Sequence, residues 1–213
     1  MFKFIDLLIL VPSIIGLFFY KNIDKSYRLF ILYLLAGSIT ELAYYFGFKQ
    51  NEYKFFIFIY ILIATQLLLT IFMKWDRKKT HFKTKLLFHF VFLLIYIVDL
   101  IIIFKYENNM RWGQLFLYLV LSIYAINILN QNTEGLLTKK SAYSRLLIIV
   151  PFVIFTIYYC CIRIIMFYLY NAKNEEFFSN LYNTVRVINA LSYLCYSLAI
   201  IWAPKEEQYL TIK

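Results

Sequence analysis

Five ionisable side chains interrupt long apolar runs of this sequence: Asp6, Glu41, Asp99, Arg163 and Arg186. Arg163, in the stretch YYCCIRIIMFY, has no charged residue within nine positions on either side. A guanidinium stays charged in a protein, so water, an anion or a ring of acceptors must meet it. Asp99 or Glu41 is the expected partner of Arg163, with Tyr45, Tyr96, Tyr159 and Asn189 completing the shell, and Asp6 is the expected partner of Arg186. Three acids against two arginines leave one formal negative charge. Either a buried carboxyl is protonated, a cation completes the set, or a ligand carboxylate or phosphate displaces an acid from an arginine. Two readings follow: a salt-bridge network that fixes helix register, or a ligand pocket.

The neighbours of these charges recur at helical spacing. Ser179, Tyr182, Arg186, Asn189, Tyr193 and Tyr196 form one stripe, and Thr156, Tyr159, Arg163 and Tyr170 a second. Gly37, Ser38, Glu41 and Tyr45 form a third, and His89, Phe92, Tyr96 and Asp99 a fourth. Residues three and four apart share a helix face, and polar stripes are unfavourable toward lipid, so all four are expected to face a bundle interior.

Motifs of hydrolytic chemistry are absent. The sequence holds no H-E-x-x-H, no G-x-S-x-G and no set of three histidines, its only histidines being His81 and His89. Cys160, Cys161 and Cys195 lie in apolar runs without a C-x-x-C, so buried, inert thiols are expected rather than a disulfide or zinc site. No metal or cofactor is expected.

The elements that must carry these residues follow from composition. The 213 residues are 62% hydrophobic and 16% charged, against about 45–50% and about 25% in soluble domains, and mean hydropathy is +0.68. An all-α, polytopic membrane bundle is the natural reading, as a single transmembrane domain over 1–213. Seven apolar segments, at about 4–20, 27–48, 55–73, 86–104, 112–130, 146–170 and 181–203, each approach the ~20 residues that cross a ~30 Å hydrocarbon layer. The first contains Asp6 and is followed by KNIDK, so it reads as a membrane helix rather than a cleaved leader. Pro12 and Pro151 are expected to kink the first and sixth helices, while Pro204 helps end the seventh.

Lysine and arginine set the orientation. Fourteen lie in the first, third and fifth loops and the C-terminus, and six on the other side, which puts the N-terminus out and the C-terminus in. All five buried charges then fall about 4–10 Å to the outer side of the midplane at 1.5 Å per residue. Trp75, Trp112 and Trp202 sit at predicted boundaries, as an aromatic belt requires. The third loop, KWDRKKTHFKTK, gathers Lys74, Arg77, Lys78, Lys79, Lys83 and Lys85 against Asp76. Each basic residue near an anionic bilayer contributes ~1 kcal/mol, so anionic lipid is the expected partner, with an acidic cytoplasmic protein or RNA as the alternative.

The stretch ITELAYYFGFKQNEYKFFIFIYILIATQLLL resembles a group of small multi-pass membrane proteins of Bacteroidetes, with Thr40–Glu41 and Tyr60 at the matching positions. The third helix of that group often carries a glutamate, where this chain has Ala64, Thr65 and Gln66. In size, lysine-rich inner loops and aromatic content the chain also resembles the membrane accessory proteins of type VI-B CRISPR loci. That likeness implies a modulator of antiviral RNA interference at the inner membrane.

The expectation is a non-catalytic sensor or accessory subunit of a bacterial cytoplasmic membrane. A small transporter or channel is the alternative, and a carboxylate-based enzyme using Glu41 and Asp99 the third reading. The charge asymmetry makes a direct prediction. A reporter fused after Lys213 is active only in the cytoplasm and one inserted at Asn108 only outside; the reverse pattern would overturn the orientation.

Overall fold

A computed structural model of the chain describes residues 3–46, 50–76, 81–106, 112–133, 139–169 and 175–205. Within them the backbone is helical almost throughout: α1 (Lys3–Asp6), a 3₁₀ turn (Leu7–Ile9), α2 (Leu10–Phe19), a second 3₁₀ turn (Tyr20–Asn22), then α3 (Lys25–Tyr45), α4 (Gln50–Trp75), α5 (Phe82–Tyr106), α6 (Trp112–Thr133), α7 (Lys139–Leu169) and α8 (Glu175–Ile201). The first rod is broken for a local reason. Pro12 has no N–H for the carbonyl of Leu8, one turn earlier, and the backbone tightens there. Ser13 Oγ donates to the Ile9 carbonyl at 2.9 Å, and Ser38 of α3 pairs with Ser13 at 2.7 Å.

Among the described residues five helical stretches are long and apolar enough to cross a membrane: Phe56–Trp75, Phe82–Ile102, Trp112–Gln131, Ser141–Phe167 and Ser179–Ile201. α3 is not among them, and its packing explains why. It buries Tyr27, Phe30, Ile31, Leu34, Gly37, Ser38, Thr40 and Ala43, lying against α2 and α4. A helix enclosed by other helices can carry serine, threonine and tyrosine that a lipid-facing helix cannot. α5 is the opposite case, exposing Leu86, Leu87, Phe90, Val91, Leu94, Val98 and Ile101.

The core runs from the middle of the bundle to the end where α4 stops. There Trp75 is fully buried: its Nε1 donates to Ser26 Oγ at 2.9 Å, and its ring contacts Tyr27 and Phe72. Trp75 is therefore an interior residue and not part of a lipid-facing belt, whereas Trp112 and Trp202 are exposed. α7 begins at Lys139, seven residues before the expected 146, and this draws Arg145 into the bundle with 0% exposure. Its guanidinium lies 5.4 Å from the centre of a Trp75 ring, and Nη1 donates to the Trp75 carbonyl at 3.2 Å. Of the cysteines Cys160 is buried, Cys195 is half-buried and Cys161 is exposed, so the expectation of three buried thiols is corrected at Cys161.

Asp99 shows how α5 holds α6. Its carboxylate accepts from the backbone N–H of Gly113 at 2.8 Å and of Gln114 at 3.3 Å, two first-turn donors of α6 that no intrahelical carbonyl can satisfy. A Cβ at Gly113 would lie 2.7 Å from the Asp99 Cβ, so the approach requires glycine. Helix caps contribute about 0.5–2 kcal/mol, and buried donors left bare cost about 1–3 kcal/mol. Asp99→Ala is predicted to destabilise the protein by about 2 kcal/mol and Gly113→Ala to do so measurably, as read by unfolding in mixed micelles. Wild-type stability in both variants would remove Asp99 from this role.

Candidate binding cavity

At the end of the bundle opposite Trp75, α1, α3, α4, α6, α7 and α8 surround a cavity of about 610 Å³. Four of the five buried charges line it: Asp6, Glu41, Arg163 and Arg186. The stripe on α8 contributes Tyr182, Arg186, Asn189, Tyr193 and Tyr196, and that on α7 Thr156, Tyr159 and Arg163. Their one-turn spacing is what aims them at a common space.

The charges are not equivalent. Arg186 Nε lies 3.2 Å from Asp6 Oδ2, an ion pair whose side chains are 31% and 19% exposed. Arg163 donates from Nε to the Tyr159 hydroxyl at 2.9 Å, and its guanidinium stands 5.1 Å from the centre of the same ring. No carboxylate among the described residues forms an ion pair with Arg163. Among the described residues the charged groups that act on Glu41 are Asp6 and Arg186. The cavity therefore has a pole formed by Asp6, Glu41 and Arg186, and a second formed by Arg163 with Tyr159.

Aromatic side chains build the walls. Tyr159 stacks on Phe155 with centroids 5.7 Å apart and meets Tyr118 edge-on at 6.3 Å. The rings of Tyr33 and Tyr60 meet at a tilt with centroids 6.4 Å apart. Gly37 lets α3 close on the first rod, since a Cβ there would meet Ile9 Cδ1 at 2.6 Å and Tyr60 at 3.4 Å. Two buried polar atoms of the wall, Gln114 Oε1 and Thr156 Oγ1, have no hydrogen-bond partner among the described residues.

Several expectations are corrected by this geometry. Asp99 does not meet Arg163, because both its oxygens serve the start of α6. Tyr96 donates to the Phe58 carbonyl, joining α5 to α4 away from the cavity. Tyr45 is half exposed and packs edge-on against Phe46. His89 contacts Gln66 at 2.5 Å between α4 and α5. In the basic loop Lys74 and Lys83 are exposed and Lys85 half-buried, while Arg77, Lys78 and Lys79 lie outside the described residues, as does Tyr170. Among the described residues no three His, Cys, Asp or Glu side chains gather as metal ligands would. Sequence reasoning missed Tyr33, Gln114 and Tyr118, while Tyr60 entered only through the family resemblance. Tyr33, Gly37 and Glu41 are spaced by four, so extending the α3 stripe by one turn would have found the first of them.

Comparison with protein-family models, curated proteins and solved structures finds no match for this chain.

The ion-pair assignment is testable by double-mutant cycles. Asp6→Asn and Arg186→Gln are predicted to couple by about 1–2 kcal/mol, less than the ~3–5 kcal/mol lost on breaking a fully buried pair, because both side chains reach water. Asp99→Asn and Arg163→Leu are predicted to add within about 0.5 kcal/mol, the margin of independent sites. Coupling between Asp99 and Arg163 with none between Asp6 and Arg186 would reverse the assignment.

Proposed function

We propose that this chain is a seven-span, non-catalytic sensor or accessory subunit of a bacterial cytoplasmic membrane. Its N-terminus is outside, its C-terminus inside, and a ligand enters the tyrosine-walled cavity from the outer face. The observation that carries this reading is the state of Arg163. It lines a cavity of ligand size, within the ~300–1,000 Å³ usual for such sites, yet is met by a tyrosine and by no carboxylate among the described residues. A salt-bridge network alone would have neutralised it.

Three further features support the reading. The positive-inside count puts Asp6, and with it the cavity, toward the outer face. The opposite end is filled by the core around Trp75, Phe72 and Ile128, which favours a receiving site over a conducting path. No motif of the sequence marks a nucleophile with its base, so the chain works by changing shape or by contact. The lysines of the Lys74–Lys85 segment then hold anionic lipid and present a basic surface to a soluble partner, which the likeness to CRISPR-associated accessory proteins would make a defence component.

Cysteine accessibility tests the reading. In a chain whose three native cysteines are replaced by alanine, Asn189→Cys and Tyr182→Cys, on the cavity wall, are expected to react with a membrane-impermeant maleimide added to intact spheroplasts. Lys74→Cys is expected to react only after permeabilisation. Labelling of Lys74→Cys in intact spheroplasts together with protection of the two cavity cysteines would overturn it.

A further inference from the structure

The two poles of the cavity specify the charge of what fills it. The pole of Asp6, Glu41 and Arg186 carries two carboxylates against one guanidinium, a formal charge of −1 when ionised. The Arg163 pole carries +1, and among the described residues the Tyr159 hydroxyl and ring stand against it. Glu41 has no hydrogen bond or ion pair among the described residues, and the charges acting on it are Asp6 and Arg186 rather than Arg163. A simple anion would satisfy Arg163 and leave Glu41 bare, and a simple cation would do the reverse. In a low-dielectric site each unmatched ion is costly. A molecule carrying both charges matches both poles without changing the net charge.

The walls add the remaining specification. Phe152, Phe155 and the faces of Tyr33, Tyr60 and Tyr193 offer an apolar body for burial, and aromatic faces also attract a cation. Gln114 Oε1 can accept from an ammonium, while Thr156 Oγ1 can donate to an anion; both are more than nine-tenths buried and without a partner among the described residues. Such atoms are costly unless a ligand or ordered water meets them.

We propose that the cavity binds a zwitterion with an apolar body. Its primary ammonium lies at the Glu41–Asp6 pole, and its carboxylate or phosphate lies on Arg163. This assignment rests on the ligand-site reading above and names the ligand's chemistry. Two sources offer that chemistry: a free apolar α-amino acid from the outer solution, or the headgroup of phosphatidylethanolamine from the bilayer.

The test uses the full chain in detergent and three related probes: L-phenylalanine, which carries both charges; phenethylamine, which carries only the ammonium; and 3-phenylpropionate, which carries only the carboxylate. L-Phenylalanine is expected to raise the melting temperature in a saturable way and to bind at least tenfold tighter than either half. Arg163→Gln removes its advantage over phenethylamine, and Glu41→Gln its advantage over 3-phenylpropionate. For the lipid source, nanodiscs of phosphatidylethanolamine stabilise the protein more than phosphatidylcholine ones, with the same dependence on Arg163 and Glu41, because a quaternary ammonium cannot donate to Glu41. Equal binding of 3-phenylpropionate and L-phenylalanine would overturn the proposal, as would equal binding of phenethylamine. No response to any probe or lipid, in a protein whose cavity cysteines label from outside, would overturn the zwitterion and leave the ligand-site reading standing. Failure of the labelling itself would remove both.

Discussion

The burial of Trp75 is the constraint on which the rest of the bundle depends. One residue at the end of α4 makes three contacts with two other helices. Its indole N–H donates to Ser26 of α3, its carbonyl accepts from Arg145 of α7, and its ring lies beneath the Arg145 guanidinium. Ser26 in turn donates to Asp24 at 2.6 Å, and the Asp24 N–H donates to the Pro204 carbonyl beyond α8 at 3.0 Å. Buried polar groups are costly alone and rigid when satisfied, so this chain of contacts fixes four helices at one end. Arginine suits the position because a flat guanidinium can cover an aromatic face while donating at its edge.

A clamp at one end makes a chamber at the other affordable. Phe72, Leu121, Ile128 and Ile149 fill the core at the Trp75 end, and around the cavity tyrosines take over from leucines and isoleucines. A tyrosine-lined wall suits that position. Each ring buries as much apolar area as a phenylalanine and still offers a hydroxyl to a neighbour or ligand. The Tyr33–Tyr60 contact keeps α3 on α4, and the Tyr118–Tyr159 contact keeps α6 on α7, without filling the space between the pairs. Ser13, Ser38 and Gly37 bring the first rod close enough to set Asp6 beside Arg186.

Much of this was legible in the sequence, for reasons that differ from residue to residue. Long apolar runs between charged loops announced the helices. One-turn spacing on α7 and α8 placed Thr156, Tyr159, Arg163, Arg186 and Asn189 on common faces, and the cavity holds all five. Depth alone was a poor guide to pairing. Asp99 lies at the same predicted level as Arg163, but depth says nothing of azimuth, and α5 sits at the edge of the bundle with its carboxylate turned to α6. Arg145 was hidden by its context. It follows two lysines in a stretch that reads as loop, and only the early start of α7 makes it interior. Trp75 was assigned to the membrane boundary by residue type, yet its N–H found an interior partner in Ser26. Both misjudgements arise where a helix end tucks under its neighbours, which no one-dimensional pattern records.

A charged side chain within a bilayer-sized bundle needs a compensating structure, and here each charge has a different one. Asp99 is compensated by the bare N–H groups at the start of α6, whose dipole favours a negative neighbour. Asp6 and Arg186 compensate each other. Arg145 is compensated by a carbonyl and a ring. After these assignments Arg163 and Glu41 remain, on the wall of one cavity and with neither serving the other. Had evolution required only a stable bundle, leucine at one position and glutamine at the other would have been cheaper, since replacing buried charges by well-packed residues is often neutral or stabilising. Their presence together in a chamber walled by tyrosines is what the proposed binding site needs and a purely structural core does not.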